Sequence, residues 1–350
     1  MSKAHCLGVL AACGAAALVT SLIVLGSQGL RHFDWALLPY ALATVFSAAA
    51  AAHRCTLWLQ RPPTKQYWRQ SWRLVRTGRI ASNSVHLGQS VFTNLVAQRF
   101  IAHRSRLRWV THLCLSWGSM LAFAITFPLV FGWIHFETPA HDSSIYQVVF
   151  LGVKVQEFPV HSIIAFLTFN ALNISAVLVL LGVCLALYRR LTDGGALALQ
   201  RFSLDIAPLL LLFVVAASGL GLTISAHWLQ GRGFAFISLV HAASVIMLLV
   251  SLPFGKLFHI FQRPLHIGVT SYKRLAQAGP PARCGRCGEP FASQLHVNDL
   301  KQVLNELAID NQLDGPVAHY QEICPPCRRR LLALNQGRNV GKNHGAPSFA

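Results

Sequence analysis

Residues 158–188 read FPVHSIIAFLTFNALNISAVLVLLGVCLALY and are followed at once by Arg189-Arg190. No Asp, Glu, Lys or Arg interrupts the run. About 20 apolar residues in a helix already cross a hydrocarbon core of ~30 Å. In lipid every backbone N–H and C=O must be satisfied within the segment, so such a run is read as a helix. Five further stretches share this character, at roughly 6–30, 35–52, 109–135, 206–231 and 233–255. A buried soluble helix explains one such stretch but not six. Composition points the same way: 53% of residues are hydrophobic and 12% charged, where a soluble chain carries about a quarter charged. The expected fold class is all-α integral membrane, with about six transmembrane helices forming a bundle.

The net charge of +18 would suit nucleic acid if it were spread over one surface, but it is not. Residues 53–108 hold eleven Lys or Arg and no Asp or Glu, and the segment after the fourth span adds Arg189, Arg190 and Arg201. The opposite loops hold only Arg31, Lys154 and Arg232, among Asp34, Glu137, Asp142 and Glu157. Such an asymmetry sets topology. It predicts cytoplasmic N- and C-termini in a bacterial inner membrane, with part of the charge facing anionic headgroups, and no nucleic-acid partner. Lys3 with its apolar run resembles a signal peptide, and Leu10-Ala11-Ala12-Cys13 a lipoprotein box. The run continues too far past Cys13 for a signal sequence, so it is read as an uncleaved first span.

The chain divides accordingly into two N-terminal spans (1–60), a basic cytoplasmic loop with interfacial helices, drawn mainly from Val85–Arg104 (61–108), and four further spans (109–264). A soluble metal-binding module (275–335) and a disordered tail (336–350) complete it. Gly279-Pro280-Pro281 is the linker into the module, and Val297–Asp310 reads as an amphipathic helix with Leu300, Val303, Leu304 and Leu307 on one face.

Four of the nine cysteines form the pairs Cys284-x-x-Cys287 and Cys324-x-x-Cys327. Two such pairs on turns present four thiolates tetrahedrally, as in a zinc ribbon or rubredoxin-like knuckle. A reducing compartment disfavours disulfides, and so short a tail gains its fold from a metal. Zinc is expected, with iron on the same four thiolates or a redox thiol set as the alternatives. Cys6, Cys13, Cys55, Cys114 and Cys184 are scattered in or beside spans and are read as packing residues.

An ionisable side chain within a span marks a functional site by default. His241 and His259 both fall on span six, eighteen residues apart, which on a continuous helix is five turns on one face and about 27 Å. A haem iron takes a second axial ligand from a facing helix, and His112, at the start of span three, lies at the level of His259. Arg104, Arg106, Arg108, Lys256 and Arg263 would suit propionates, and the positive-inside bias explains them equally well. Ser218 with Gly219-x-Gly221 permits close approach of a helix or a flat macrocycle. The spans carry no Asp or Glu, which argues against an ion-coupled transporter.

From Ile237 the chain reads ISLVHAASVIMLLVSLPFGKLFHIFQRP. This segment resembles the last helix of the gamma subunit of respiratory nitrate reductases, and of related cytochrome b subunits of heterodisulfide-reductase-like complexes. The His-x17-His spacing and the Leu-Pro-Phe-Gly-Lys-Leu-Phe-His ending carry the likeness, which extends more weakly over 104–264 through Arg108-Trp109-Val110-Thr111-His112. The resemblance implies one or two haems b, the inner one on His112 and His259 and the outer one on His241. It implies electron transfer between membrane quinol and a cytoplasmic iron–sulfur or molybdenum oxidoreductase subunit. The second outer ligand of that pattern is missing, since its place is Leu121-Ala122-Phe123. His161, His227 and His135 are shallower substitutes. An extra N-terminal span and the four-cysteine module also depart from the pattern. The competing expectation is a non-redox scaffold or transporter whose zinc-binding tail is regulatory.

Overall fold

The computed structural model describes residues 3–31, 33–76, 80–139, 142–265, 267–313 and 316–343. The chain is mostly helical and contains six helices long and apolar enough to cross a membrane. It forms two compact units, each assembled from two separated stretches of sequence: 1–57 with 91–264, and 58–90 with 265–350.

The first unit begins with α1 (Lys3–Gly26) and, after a 3-10 turn capped by Asp34, α2 (Leu38–Leu59). The second unit's helices α3 (Pro62–Arg76) and α4 (Ile80–Val91) follow. A wide π-helical turn at Phe92–Val96 and the short α5 (Arg99–Ala102) then lead into α6 (Arg106–Val130). The expected interfacial segment 85–104 is therefore the end of α4, a wide turn and one short helical turn. Ser105 caps α6 by accepting from the Arg108 N–H.

Between the third and fourth spans lies a three-stranded antiparallel sheet: β1 (Ile134–Glu137), β2 (Ile145–Phe150) and β3 (Val153–Pro159). The sequence reading missed it. Its signal is the valine-rich run Val148–Val155 broken by Leu151-Gly152, both at positive φ (50° and 84°), as a two-residue hairpin turn requires.

The bundle continues with α7 (Ile163–Thr192), capped by Ser162, then α8 (Gly194–Leu199), a second π-helical turn (Phe202–Ile206) and α9 (Ala207–His227). It closes with α10 (Phe234–Ser251), a 3-10 turn (Gly255–Phe258) and α11 (His259–Leu265). The core lies where α7 packs between α6 and α9, around Val179, Val183, Ala186, Leu209 and Ala216. A Cβ on Gly118 would come within 2.8 Å of Val179, and one on Gly182 within 2.8 Å of Leu115. The two glycines thus set the close approach of α6 and α7, the small-residue contact by which helices associate in lipid. Large apolar side chains such as Ile163, Phe236 and Leu239 point outward, as lipid-facing residues do. The chain is a membrane protein by these helices.

Span six is not continuous. Pro253 has no N–H to donate and clashes with the preceding turn, and Gly255 takes a positive φ of 68°. The helix therefore stops at Ser251 and restarts at His259, so the five-turn register expected between His241 and His259 does not hold.

In the second unit α12 (Ile267–Ala278) leads to the hairpin β4 (Pro281–Arg283) and β5 (Pro290–Ser293), then α13 (Gln294–Glu306), a 3-10 turn at Tyr320–Glu322 and α14 (Pro325–Asn343). Helix α3 packs on α12 and α13. Its Gln66 and Gln70 amides donate to the buried carboxylate of Asp299, at 2.5 and 2.9 Å, and the Tyr272 hydroxyl donates to the other oxygen at 2.9 Å. The expected apolar face of α13 is thus a mixed one, with Val297 and Val303 buried beside Asp299 while Leu307 is exposed. The segment expected to be disordered is helical through Asn343, and 344–350 lie outside the described residues.

Candidate functional site

The four cysteine sulfurs of the tail lie within 4.8 Å of one another. Cys287 and Cys324 are 3.7 Å apart, far beyond a disulfide bond. A tetrahedral ion with metal–sulfur bonds of about 2.3 Å holds its sulfurs ~3.8 Å apart, so the cluster can hold a metal ion. The first pair sits on the β4–β5 hairpin. Gly288 N–H donates to Cys284 O at 2.9 Å, and Gly288 itself turns at φ 72°. The second pair does not sit on a comparable turn. Cys324 immediately precedes α14 and Cys327 lies in its first turn. A ribbon would carry both pairs on strand turns, so the zinc-ribbon expectation is replaced by a hairpin-plus-helix arrangement. The helix N-terminus favours thiolate there.

The surroundings favour a thiolate at Cys284 and raise the thiols of Cys287 and Cys327. Burial works to raise the Cys284 thiol, but the N–H groups of Cys324, Cys287 and Arg286 aimed at its sulfur bring it down to about 6. The Cys324 and Arg286 N–H groups lie 3.2 and 3.4 Å away. Sharing a proton with Cys324 pushes the Cys327 thiol far up. Val317, Ile323, Phe291 and Leu331 pack around the pairs, and a Cβ on Gly285 would fall 2.8 Å from Val317.

In the bundle, His112 on α6 and His259 at the start of α11 face each other with ring centroids 6.4 Å apart and ring planes at 61°. Each ring's Nδ1 is already committed. That of His112 lies 2.6 Å from Gln98 Oε1, and that of His259 2.5 Å from the Lys256 carbonyl. Those acceptors fix the N–H on Nδ1 and leave both Nε2 lone pairs available, the arrangement by which ligand histidines are oriented. Gln98 was invisible to sequence reading. It is a buried non-glycine residue at φ 48°, and its amide nitrogen donates to Ser116 Oγ at 2.8 Å. Backbone strain of this kind persists where the surroundings over-determine it. The wide turn before it is pinned by the Trp109 and Trp117 indoles, which donate to Ala97 O and Val96 O.

His241 is not brought to His112 or His259. Its Nδ1 lies 3.0 Å from Ser218 Oγ, and a Cβ on Gly219 would meet its ring at 3.2 Å. The Ser218/Gly219 close approach therefore accommodates a histidine. His135 pairs with Glu137 on β1, His161 precedes α7, and His227 ends α9. Among the described residues no second histidine ring lies against His241. Of the bases placed to meet propionates, Lys256 binds Asp205, Arg108 lies 3.8 Å from Asp193, and Arg263 stacks on Phe100. Asp205 falls at the start of the fifth candidate span, a carboxylate the sequence reading had placed just outside it.

No protein-family model, curated protein or solved structure matches the chain.

Proposed function

We propose that the chain is a membrane cytochrome b-type subunit that carries electrons between membrane quinol and a cytoplasmic iron–sulfur or molybdenum oxidoreductase partner. The observation that supports this reading is the His112–His259 pair. Two metal–nitrogen bonds of about 2.0 Å plus two half-rings separate trans imidazole centroids by about 6.3 Å, against about 5.1 Å at a tetrahedral ion. The 6.4 Å found here suits trans ligation of a haem iron. When bound, a haem supplies one-electron chemistry at that position. The chain's part is to present two Nε2 atoms, to hold both tautomers through Gln98 and the Lys256 carbonyl, and to keep the rings within the bundle. Among the described residues no second histidine ring faces His241, so the reading rests on the His112–His259 pair.

On this reading the N- and C-termini face the cytoplasm of a bacterial inner membrane. Cys284, Cys287, Cys324 and Cys327 hold zinc, or iron, as the metal that folds the second unit for contact with the partner. The test is a reduced-minus-oxidised visible spectrum of the detergent-purified full chain, with pyridine haemochrome and metal analysis on the same sample. A b-type spectrum lost in His112→Ala and His259→Ala supports the proposal. Absence of haem after expression with ample haem supply overturns it, and leaves a zinc-tailed scaffold or transporter.

A further inference from the structure

A cluster of cations at one end of the first unit is short of acceptors. In the fourth span the apolar run ends at Tyr188, and Arg189 and Arg190 follow near the end of α7. About twenty residues at ~1.5 Å each cover a hydrocarbon core of ~30 Å, so the window 169–188 fills that thickness and the two arginines emerge among headgroups. Arg108, in the first turn of α6, belongs to the same cluster. It lies 3.8 Å from Asp193, and its charge bears on Arg189 together with that of Arg190. On the other side Asp205 meets Arg190 at 3.6 Å and also takes Lys256. Four cations thus share two carboxylates.

Hydrogen bonding shows the same deficit. Among the described residues, the Nε atoms of Arg189 and Arg190 are buried without a partner. An unpaired polar atom of this kind is destabilising, most of all on a charged group. The positive-inside bias accounts for arginines at this end, but not for guanidinium groups that the chain supplies with too few acceptors. The cluster is open to its surroundings, since Arg108 is 46% exposed, Lys256 57% and Arg190 20%. Apolar side chains stand exposed beside it. Tyr188 and Leu191 bracket the two arginines on α7, and Phe202 begins the turn that carries Asp205.

A ligand for this place brings negatively charged acceptors to the arginines and apolar chains to their neighbours. A phosphate matches a guanidinium fork bidentately, and basic pockets between spans are where anionic headgroups bind. We propose that Arg108, Arg189 and Arg190 form a site for one anionic phospholipid, with its phosphate at the open ends of the guanidinium groups and its acyl chains along Tyr188 and Leu191. The site does not depend on a haem.

The experiment is native mass spectrometry of the detergent-purified full chain, titrated with phosphatidylglycerol, with phosphatidylcholine and with inorganic phosphate. One phosphatidylglycerol should be held more tightly than phosphatidylcholine, and inorganic phosphate should not displace it. Arg189→Gln/Arg190→Gln should weaken phosphatidylglycerol about thirtyfold, the worth of two basic residues at an anionic leaflet, and leave phosphatidylcholine unchanged. Arg189→Lys/Arg190→Lys keeps the charge and loses the fork, so a smaller loss there separates recognition of phosphate from a failure to fold. Arg329→Gln/Arg330→Gln removes the same charge from exposed positions on α14 and should change nothing. Phosphatidylcholine held as tightly as phosphatidylglycerol, or an equal loss in the α7 and α14 variants, overturns the proposal. Displacement by inorganic phosphate also overturns it, since the cluster would then be a site for free anions.

Discussion

Gln98 is the residue on which the placing of the His112–His259 pair most depends, and on the cytochrome reading it would do so without touching the iron. It accepts from His112, donates to Ser116 and holds φ 48° while buried. Outer partners of ligand histidines are typically worth 10–100-fold in affinity, or about 1.4–2.7 kcal/mol. Gln98→Gly relieves the left-handed backbone but removes the acceptor, whereas Gln98→Ala removes the acceptor and keeps the strain. Both should weaken haem retention by 10–100-fold and shift the midpoint potential, read by haem titration and redox potentiometry. Unchanged affinity in Gln98→Gly would show that the amide serves the backbone alone.

In the second unit the corresponding residue is Asp299, whose carboxylate takes three donors. Asp299→Ala takes the acceptor from the Gln70 amide and the Tyr272 hydroxyl, at about 1–3 kcal/mol each if none rearranges, and leaves the Gln66 amide only Gln302 Oε1 at 3.2 Å, while Asp299→Asn keeps an acceptor and should cost about 1 kcal/mol. Denaturant unfolding followed through a probe on the tail separates them. Burial first, then the Asp299 charge, raises the Tyr272 phenol above its ordinary value of 10.0. A raised phenol favours the folded state, so its contribution is whole below pH ~10 and is lost as the pH climbs through the folded-state value. The fall in stability of the second unit above pH ~10 should therefore be shallower in Tyr272→Phe, which has no phenol to ionise, although that variant starts from a lower stability at neutral pH for want of the hydrogen bond to Asp299.

At the level of elements, the spans were legible because lipid imposes a length and an apolarity that few other pressures mimic. The four cysteines were legible because a site able to hold a metal ion needs its ligands in closely spaced pairs. What escaped depended on contacts between distant segments. The Pro253 break was written in the sequence, yet the five-turn count passed through it because hydropathy does not fall there. Helix α3 shows the other kind of miss. Its polar residues Gln66 and Gln70, which hydropathy does not distinguish from solvated ones, are buried against a carboxylate more than two hundred residues away. The opposite side of α3 carries Trp68 and Trp72, exposed and edge-to-face at 5.7 Å, with Arg61, Lys65 and Arg69 along the same stripe. Only Gln60 and Arg61 separate α3 from α2 in the sequence. Amphipathic tryptophans with cations are the composition of a helix seated at a headgroup surface. In nanodiscs of brominated lipid, Trp68→Phe/Trp72→Phe should remove a lipid-quenched component of the emission. A missing component that is quenched by aqueous iodide and not by the lipid would contradict that seat.

At the scale of the whole molecule, the two units are interleaved rather than consecutive, and this has a consequence the sequence division into a bundle and a detachable tail does not. The second unit is built from 58–90 as much as from 265–350. Removing everything after Pro264 therefore does more than delete a module. It strips α12 and α13 from α3, leaving the buried face of Gln66, Tyr67, Gln70 and Ser71 without Asp299, Tyr272 and the Gly268 carbonyl that Ser71 Oγ binds at 2.8 Å. A helix of that length without tertiary packing is marginal in water. The truncated chain should thus be cut quickly by trypsin at Arg69 and Arg73, positions expected to resist in the intact, metal-loaded protein because cleavage needs local opening of backbone. Metal loss should act in the same direction and more weakly, since chelation frees the cysteine end of the unit while leaving the Asp299 clamp in place. A graded order of cleavage rates, truncated above chelated above intact, is the expected result by mass spectrometry of the digests. Equal rates in all three would mean that α3 is held without the tail, and that the division read from sequence describes the folding units after all.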